Sequence, residues 1–179
     1  MSKGPTAIIL AAGASTRMGT HKALLYWSGE PIIAAHARAL HLRCSSVIAV
    51  LGAQQGAIRA VLPDFVEVRH NTDWATDEMR DSLKFGLNGL SGTVLFTPVD
   101  CPPTPVHLLD LLIEASGDTV LSHQGQDGHP VRFEAEQMRD ALTKQTLSEA
   151  LRGAARVDVQ WSGCTASWNT PLEWAARVP

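Results

Sequence analysis

Short apolar segments alternate with helical segments through the first two thirds of the chain, and this alternation is the strongest constraint on its fold. The predicted strands are residues 6–10, 47–51, 66–69 and 93–99. Helical patterns follow them over residues 31–42, 53–62, 79–90 and 106–115. A repeated strand–helix order is typical of a mainly parallel sheet covered on both faces. The sequence therefore predicts a Rossmann-like α/β fold, a three-layer α/β/α sandwich with a mainly parallel, mixed sheet that binds ligands at the carboxyl ends of its strands.

The last third of the chain has a different pattern. Strands are predicted over residues 119–123 and 131–133, joined by a loop over residues 125–130. A helix over 146–152, a half-exposed strand over 156–161 and a final helix over 170–177 are predicted to follow. No linker, repeat or low-complexity segment interrupts the sequence, and 179 residues suit one domain with a sizeable core. We therefore expect a single domain over residues 1–179.

A loop bounded by glycines follows the first predicted strand. Gly13 and Gly19 bound it, and the cationic side chains of Arg17 and Lys22 flank the second glycine. Glycines let the backbone turn sharply and approach a ligand, and successive N–H groups in such a turn form an anion-binding hollow. The spacing differs from both the Walker A and the dinucleotide-binding motifs. It indicates another kind of triphosphate-binding loop, with an ordinary strand-to-helix connection as the alternative.

In and around this loop, Leu-Ala-Ala-Gly at 10–13 is followed by Ser15, Arg-Met-Gly at 17–19, Lys22 and Leu-Leu at 24–25. This pattern resembles the signature of the nucleotidyltransferases, a family that includes sugar-phosphate nucleotidyltransferases and enzymes that attach CMP or GMP to molybdopterin. The resemblance implies that the loop wraps a nucleoside triphosphate and that Arg17 and Lys22 contact its phosphates. The residues that it places against the nucleotide base are Leu10, Ala11, Ala12 and Gly13.

A single carboxylate follows the fourth predicted strand. Asp100 comes directly after this strand, and prolines at 102, 103 and 105 prevent a regular continuation. A carboxylate at a strand end suits Mg²⁺, which binds one or two carboxylates together with substrate phosphates. The alternative is a surface aspartate that opens a loop. The resemblance implies a metal ligand at Asp100 and a second, neutral metal-facing group at Asn169, with Ser167 standing where relatives carry an acidic or amide residue.

The segment after the third predicted strand resembles a family loop that precedes the next helix. Asn71 is its candidate nucleotide contact, and Arg80 and Ser82 are candidate acceptor contacts. Many cytidylyltransferase-like members carry Gly-Met-Ser-Ser-Ser in this segment, and the sequence departs from that run at Glu78, Arg80 and Asp81. The departure leaves the identity of the acceptor open. A capped helix start with solvated charges is the alternative.

The Gly-His-Pro-Val segment at 128–131 resembles one found in molybdenum cofactor cytidylyltransferases and their close relatives. We expect it to form a turn, with Gly128 supplying the unusual backbone conformation. His129 is the candidate group for a hydrogen bond to a phosphate or to the acceptor. A purely structural histidine in a turn is the alternative.

Taken with the lack of a nucleophile-elbow motif, the resemblance favours direct nucleotidyl transfer. We expect an enzyme in which Arg17, Lys22 and Asp100 act on a nucleoside triphosphate with Mg²⁺ as cofactor. It would transfer a nucleoside monophosphate, CMP first and GMP second, to a phosphorylated acceptor such as molybdopterin and release pyrophosphate. A sugar-phosphate nucleotidyltransferase and a non-catalytic nucleotide-binding module are the alternatives.

Charge and apolar patterning limit the remaining classes of partner. The formal net charge of −3 does not indicate nucleic-acid binding. No apolar run reaches the length of a membrane span, and the first residues lack the apolar region of a signal peptide. The three cysteines have neither disulfide nor zinc-site spacing. We therefore expect a cytoplasmic protein without nucleic-acid or membrane partners.

Overall fold

A computed structural model describes residues 4–177 and contains one large sheet and one small hairpin. The strands of the large sheet are β1 Thr6–Ala11, β4 Ser46–Leu51, β5 Val66–His70, β6 Thr93–Pro98, β7 Thr119–His123, β8 Gln126–Glu134 and β9 Ala155–Asp158. The hairpin consists of β2 Tyr26–Trp27 and β3 Glu30–Pro31. The seven strands of the large sheet lie in the order β5-β4-β1-β6-β8-β7-β9.

Helices cover both faces of the large sheet. They are α1 Ile32–His41, α2 Gln55–Arg59, α3 Met79–Gly86, α4 Val106–Glu114, α5 Ala135–Ala141, α6 Leu147–Ala150 and α7 Pro171–Ala175. Three short 3-10 helices complete the described part of the chain, at Thr16–Met18, Lys22–Leu24 and Ser162–Thr165. Within the described residues, no helix is long and apolar enough to cross a membrane.

The sheet is mixed but mainly parallel. Strands β5, β4, β1 and β6 pair in parallel, and β9 pairs in parallel with β7. Only β8 runs against its neighbours, pairing antiparallel with β6 and β7. This is the predicted Rossmann-like α/β architecture, and the prediction of fold class is confirmed.

The core lies in two layers because the central strands are apolar on both faces. In β1, Ile9 packs in the layer that contains α1 and α4, whereas Ile8 packs in the layer that contains α3 and α5. Successive strand residues point to opposite faces, so a continuous apolar run supplies both layers at once. Both side chains are fully buried. This packing fixes the carboxyl end of β1, from which the glycine-bounded loop begins.

The expectation of a turn around Gly128 was wrong. The turn between β7 and β8 is formed by Gln124 and Gly125, both of which have positive φ angles, of 52° and 80°. That geometry matches the tight turns favoured in two-residue hairpins. Gly128 instead lies buried within β8, where a Cβ atom would collide with the carbonyl group of Cys164. The absence of a side chain at Gly128 lets β8 pack closely against the backbone at Cys164. Strand β8 begins at Gln126, earlier than the predicted start at residue 131.

Several element boundaries also differ from the prediction. The helices after β4 and β5 are shorter than expected and end at Arg59 and Gly86. Strand β9 ends at Asp158, and the following residues turn into a 3-10 helix. The hairpin of β2 and β3 and helix α5 were not predicted. The expected single domain over residues 1–179 stays a prediction.

Candidate active site

A cavity of about 320 Å³ lies at the carboxyl ends of β1 and β6. Its walls bring together the residues that follow β1, the residues that follow β6 and the loop between β5 and α3. The lining residues are Leu10, Ala11, Ala12, Gly13, Ser15, Thr16, Arg17, His21, Lys22, Trp74, Asp77, Glu78, Met79, Ser82, Pro98, Val99, Asp100 and Asn169. Ligands of open α/β sheets bind at this edge. The structure therefore places the glycine-bounded loop and Asp100 in one cavity.

The loop after β1 is held in shape by its own backbone and by one serine. Ser15 has a φ of 54° and Gly19 a φ of 74°, so the chain turns through the left-handed region at both ends of the first 3-10 helix. The Lys22 backbone N–H donates a hydrogen bond to Ser15 Oγ at 3.1 Å. This bond ties the two halves of the loop together. Arg17 is exposed and lines the cavity.

Lys22 forms the centre of a polar network at one end of the cavity. Its Nζ donates to Asp100 Oδ2 at 3.1 Å and to Asn169 Oδ1 at 2.8 Å. Ser167 Oγ donates to the same Asp100 oxygen at 3.1 Å, and Asn169 Nδ2 donates to Ser167 Oγ at 3.0 Å. The group of Arg17, Lys22, Asp100 and Asn169 is called the cationic end below. It joins three segments that are far apart in the sequence.

Asp100 is held in place by hydrogen bonds to two backbone carbonyl groups, its own and that of Cys101. Its carbonyl oxygen accepts a hydrogen bond from the Trp168 N–H at 2.8 Å. His36, fully buried on α1, has Nε2 2.8 Å from the carbonyl oxygen of Cys101. Burial lowers the pKa of His36 to about 4, against the opposing effects of that carbonyl and of Asp100. The neutral ring therefore donates to the Cys101 carbonyl oxygen and supports the turn that carries Asp100.

The oxygen atoms around the Lys22 ammonium also fit a hard divalent cation. Asp100 supplies a carboxylate, and Asn169 supplies an amide oxygen, which are ligands that Mg²⁺ accepts. Within residues 4–177, no three His, Cys, Asp or Glu side chains come close enough to hold a metal ion by themselves. A metal at Asp100 would therefore take further ligands from substrate phosphates and water, as Mg²⁺ commonly does.

The opposite end of the cavity comes from one contiguous segment. Trp74, Asp77, Glu78, Met79 and Ser82 line it, and this group is called the acidic end below. Met79 is 50% exposed, and Glu78 is the N-cap residue of α3, with its backbone N–H donating to Asp81 Oδ2 at 3.2 Å. Two carboxylates and a hydroxyl make this end a set of hydrogen-bond acceptors, in contrast to the cations at the other end.

Asn71 lies behind the acidic end and does not line the cavity. Its Nδ2 donates to Asp77 Oδ2 at 2.8 Å and to Ser82 Oγ at 3.1 Å. Its Oδ1 accepts from the Asp73 N–H at 3.0 Å, and the side chain is buried. Both amide protons are therefore in use within the protein. Asn71 therefore fixes the positions of two residues that line the cavity, Asp77 and Ser82.

Gly52, which follows β4, allows the acidic end to approach β1. A Cβ atom here would collide with the Ala12 carbonyl oxygen and with the Trp74 side chain. The next residue, Ala53, donates its N–H to the same Ala12 carbonyl at 3.1 Å. Trp74 can therefore pack at the cavity wall only because position 52 lacks a side chain.

The three candidate acceptor contacts differ in their position relative to the cavity. Ser82 lines the cavity, whereas Arg80 and His129 do not. Arg80 Nε lies 3.3 Å from Glu78 Oε2, so its charge is paired beside the acidic end. The His129 ring packs edge-on against Phe96 at 5.6 Å between centroids, and burial lowers its pKa to about 4, against the opposing charge of Asp100. Their contacts with an acceptor stay predictions.

Sequence reasoning did not identify four residues that shape the site, namely His21, His36, Gly52 and Trp74. His21 is buried and lines the cavity, and its Nδ1 accepts from the Ala23 N–H at 3.3 Å. Burial lowers the pKa of His21, with the Gly13 carbonyl opposing and the charge of Lys22 adding to the shift. Trp74 and Gly52 each follow a predicted strand end, and this position in the sequence could have identified them as site residues. No sequence feature could have identified His36, because its hydrogen-bond partner is the backbone carbonyl of a residue far along the chain.

Comparison with solved structures shows the same fold in nucleotidyltransferases. A nucleotidyl transferase from Methanothermobacter superposes with a TM-score of 0.82 and 22% identity, covering 97% of this chain and 95% of that chain. The CTP:phosphocholine cytidylyltransferase of Streptococcus pneumoniae superposes with a TM-score of 0.74 and 14% identity, covering 96% of each chain. Because the identities are this low, the superpositions establish the fold alone.

Comparison of sequences identifies the family. A molybdenum cofactor guanylyltransferase from Mannheimia succiniciproducens is 28% identical over an alignment of 164 residues, and the match covers 84% of this chain and 79% of that protein. The family described as MobA-like NTP transferase domain matches residues 7–161. The predicted resemblance to nucleotidyltransferases is confirmed. The chain therefore belongs to the family of MobA-like NTP transferase domains and is a nucleotidyltransferase.

Proposed function

We propose that the protein transfers a nucleoside monophosphate from a nucleoside triphosphate to a phosphorylated acceptor and releases pyrophosphate. One observation carries this proposal most directly. Two cations from the loop after β1, Arg17 and Lys22, share a cavity with Asp100, and Lys22 contacts its carboxylate. Phosphate binding and metal binding are therefore possible within a few ångströms of each other, as phosphoryl chemistry requires.

The chain's own residues supply position and charge. The backbone at Leu10–Gly13 forms the floor on which the nucleotide lies, and Arg17 and Lys22 hold the phosphates. An oxygen of the acceptor phosphate attacks the α-phosphorus and forms a new P–O bond. The bond between the α-phosphorus and the bridging oxygen breaks, and that oxygen leaves with its electron pair as part of pyrophosphate. Both cations stabilise the leaving charge, so no protein nucleophile is needed.

Asp100 and Asn169 are the residues that would hold the divalent cation, for which we propose Mg²⁺. When bound, the ion would polarise the α-phosphate and neutralise negative charge on it. Ser167 donates a hydrogen bond to Asp100 and accepts one from Asn169, and so fixes the direction of both groups. His36 supports the adjoining backbone. This shell restricts the carboxylate to one orientation before substrate arrives.

We infer that the acidic end reads the base. Carboxylates and hydroxyls accept hydrogen bonds, and both cytosine and guanine carry amino groups that donate them. Asn71 acts through Asp77 and Ser82, whose positions it fixes. CTP is favoured by the resemblance of the Gly-His-Pro-Val segment, and GTP by the guanylyltransferase relative. Both nucleotides belong in the test.

Molybdopterin is the acceptor we propose. Two observations support it, namely the Gly-His-Pro-Val segment at 128–131 and the relative that acts on the molybdenum cofactor. Of the three candidate acceptor contacts, Ser82 lines the cavity, whereas Arg80 and His129 do not, and the contacts of those two with such a polyanion belong to the proposal.

We propose the cytoplasm as the location of the protein. A reaction that consumes nucleoside triphosphates suits this compartment. The three free, buried cysteines also suit it, because thiols stay reduced there.

The experiment is pyrophosphate release measured across a matrix of nucleotides and acceptors. CTP, GTP, UTP and ATP are each combined with Mg²⁺ and with molybdopterin, a sugar phosphate, phosphocholine or no acceptor. Release with molybdopterin and CTP or GTP is expected. Pyrophosphate release with a sugar phosphate but not with molybdopterin would reject molybdopterin as the acceptor, while the proposed class of reaction would stand. Calorimetric binding of nucleotide without release in any combination would identify a non-catalytic binding module.

A further inference from the structure

The two cations of the cavity are in different electrostatic states. Lys22 is held between Asp100 and Asn169, and the side chains of the Lys22–Asp100 pair are only 15% and 24% exposed. Arg17 is exposed and forms no ion pair within residues 4–177. A partly buried ion pair is weakened less by solvent than an exposed one. Lys22 is therefore committed to a protein carboxylate in the free protein, whereas Arg17 is available to a phosphate.

The position taken by the Lys22 ammonium is the position that a divalent cation needs. Its nitrogen lies within hydrogen-bond distance of Asp100 Oδ2 and Asn169 Oδ1, the two oxygens that would hold the metal. The same carboxylate oxygen also accepts from Ser167. A second cation at this oxygen would meet the positive charge of Lys22 at short range, where repulsion between like charges is strong.

We propose that Lys22 is an internal counter-cation that changes partners when substrate binds. In the free protein it neutralises Asp100 and keeps divalent metal out. When a triphosphate enters, Lys22 moves its ammonium from Asp100 to a phosphate, and the carboxylate becomes available to the metal. A lysine suits this exchange because it is a compact charge on a flexible four-carbon stem. The inference rests on the proposed triphosphate site and adds an order of binding to it.

This exchange makes the binding of metal and the binding of triphosphate mutually dependent. Whatever frees Asp100 from Lys22 favours the metal, and whatever frees Lys22 from Asp100 favours the triphosphate. Coupling between two ligands is reciprocal, so both directions can be measured separately. Each direction also has a variant that removes one member of the pair and leaves the other.

The first test uses Mn²⁺ alone as the probe, titrated by calorimetry without nucleotide. Lys22→Met should bind Mn²⁺ at least about tenfold more tightly than wild type, because a charge-assisted bond no longer occupies Asp100. The control is Arg17→Met, which removes one positive charge from the same cavity without freeing Asp100 and should change the affinity far less. If the affinity for Mn²⁺ rises equally in both variants, the effect is due to net charge and the proposal is overturned. An unchanged affinity in Lys22→Met would also overturn it.

The second test needs no metal and keeps the proposal falsifiable if Lys22→Met fails to fold. CTP and GTP are titrated in excess EDTA. Asp100→Asn should bind them several-fold more tightly than wild type, since Lys22 is then free for phosphate. The control is Asp73→Asn, which removes an exposed acid that does not line the cavity and should have little effect. Equal affinities of wild type and Asp100→Asn would overturn the exchange. Absence of any nucleotide binding would instead reject the proposed function.

Discussion

The cationic end and the acidic end of the cavity are built in different ways. Lys22 is separated by 78 positions from Asp100 and by 147 from Asn169, so the cationic end exists only when the whole sheet has formed. The acidic end comes from the loop between β5 and α3, and Asn71 organises it through contacts over 6 and 11 positions. One end depends on the fold, and the other depends on one local segment.

This difference suggests how the two ends share the work. A phosphate group presents the same charge in every nucleotide, so the end that binds it gains from rigid support by the sheet. The base and the acceptor vary, and a single loop can change without disturbing the core. We infer that the cationic end provides the chemistry and the acidic end provides the selectivity. The predictions for Asp100, Gly52 and Asp77 test that division.

The largest effect is expected from Asp100→Asn. Loss of the carboxylate should lower Mg²⁺-dependent turnover by roughly 10²–10³-fold, as removal of a main electrostatic group does in other enzymes. The base preference should stay the same, because the acidic end is intact. Pyrophosphate release at limiting Mg²⁺ measures the change, and thermal unfolding checks the fold.

Asp110→Asn is the matched control for this variant. Asp110 pairs with Arg43 on the surface of α4, where its side chain is 40% exposed. An exposed pair of this kind contributes little, and turnover should be normal. Normal turnover of Asp100→Asn at limiting Mg²⁺ would contradict the metal assignment.

Gly52→Ala should affect both ends together. The new methyl group would collide with the Ala12 carbonyl oxygen and with Trp74, which belong to different walls of the cavity. Overpacking of this kind costs about 1–3 kcal/mol of stability, and the displaced walls should weaken nucleotide binding about tenfold. Gly56→Ala is the control, because nothing lies within 4 Å of its added methyl group. Binding that is equally good in both variants would show that Trp74 does not shape the cavity.

Asp77→Asn should change selectivity without changing phosphate binding. The substitution converts an acceptor at the acidic end into a mixed donor and acceptor, so the ratio of affinities for CTP and GTP should shift by about three- to tenfold. The affinity for inorganic triphosphate should stay at the wild-type value. Asp73→Asn, an exposed position on the same loop that does not line the cavity, serves as control. An unchanged nucleotide ratio in Asp77→Asn would remove the acidic end from base recognition.

The smallest and least local effect is a loss of stability in mild acid. Burial lowers the pKa of His36 to about 4, below its ordinary value of 6.5, so the unfolded chain binds the proton more readily than the folded one. The stability due to neutral His36 is complete above pH 6.5 and declines as the pH falls from 6.5 towards 4. At pH 5.5 the contribution of His36 to the loss should be about 1.4 kcal/mol, and His129, whose pKa burial also lowers to about 4, should add to it. Urea unfolding at pH 7.5 and 5.5 measures it, and His36→Gln should show a smaller decline. An equal decline in both would assign the effect to other groups.

The sequence predicted the parallel half of the fold well because its physical signals are local. Continuous apolar runs identify strands that are buried on both faces, and β1 and β4 were placed within one residue at each end. The strand order followed less directly, and the antiparallel β8 was predicted too short. Gly128 resembled a turn residue in the sequence, whereas it serves the contact with Cys164, a partner 36 positions away.

For the site, the sequence indicated which residues carry charge but not how they pair. It placed Lys22 and Asp100 at the same sheet edge, because carboxyl ends of parallel strands meet there. It could not show that the two side chains bond to each other, or that Arg80 is paired with Glu78. Side-chain pairing depends on the distances and directions between individual atoms, and the periodicity of a sequence does not record them.

The central claim is that one cavity binds the triphosphate through its cations, whichever base is attached. The most direct measurement is calorimetric titration of wild type and Arg17→Ala with CTP, GTP and inorganic triphosphate, each in the presence of Mg²⁺. Arg17 forms no ion pair within the described part of the chain, so its removal should leave the fold intact and weaken all three ligands by a similar factor, about tenfold or more. Unchanged affinities, or a loss confined to one nucleotide, would contradict the claim.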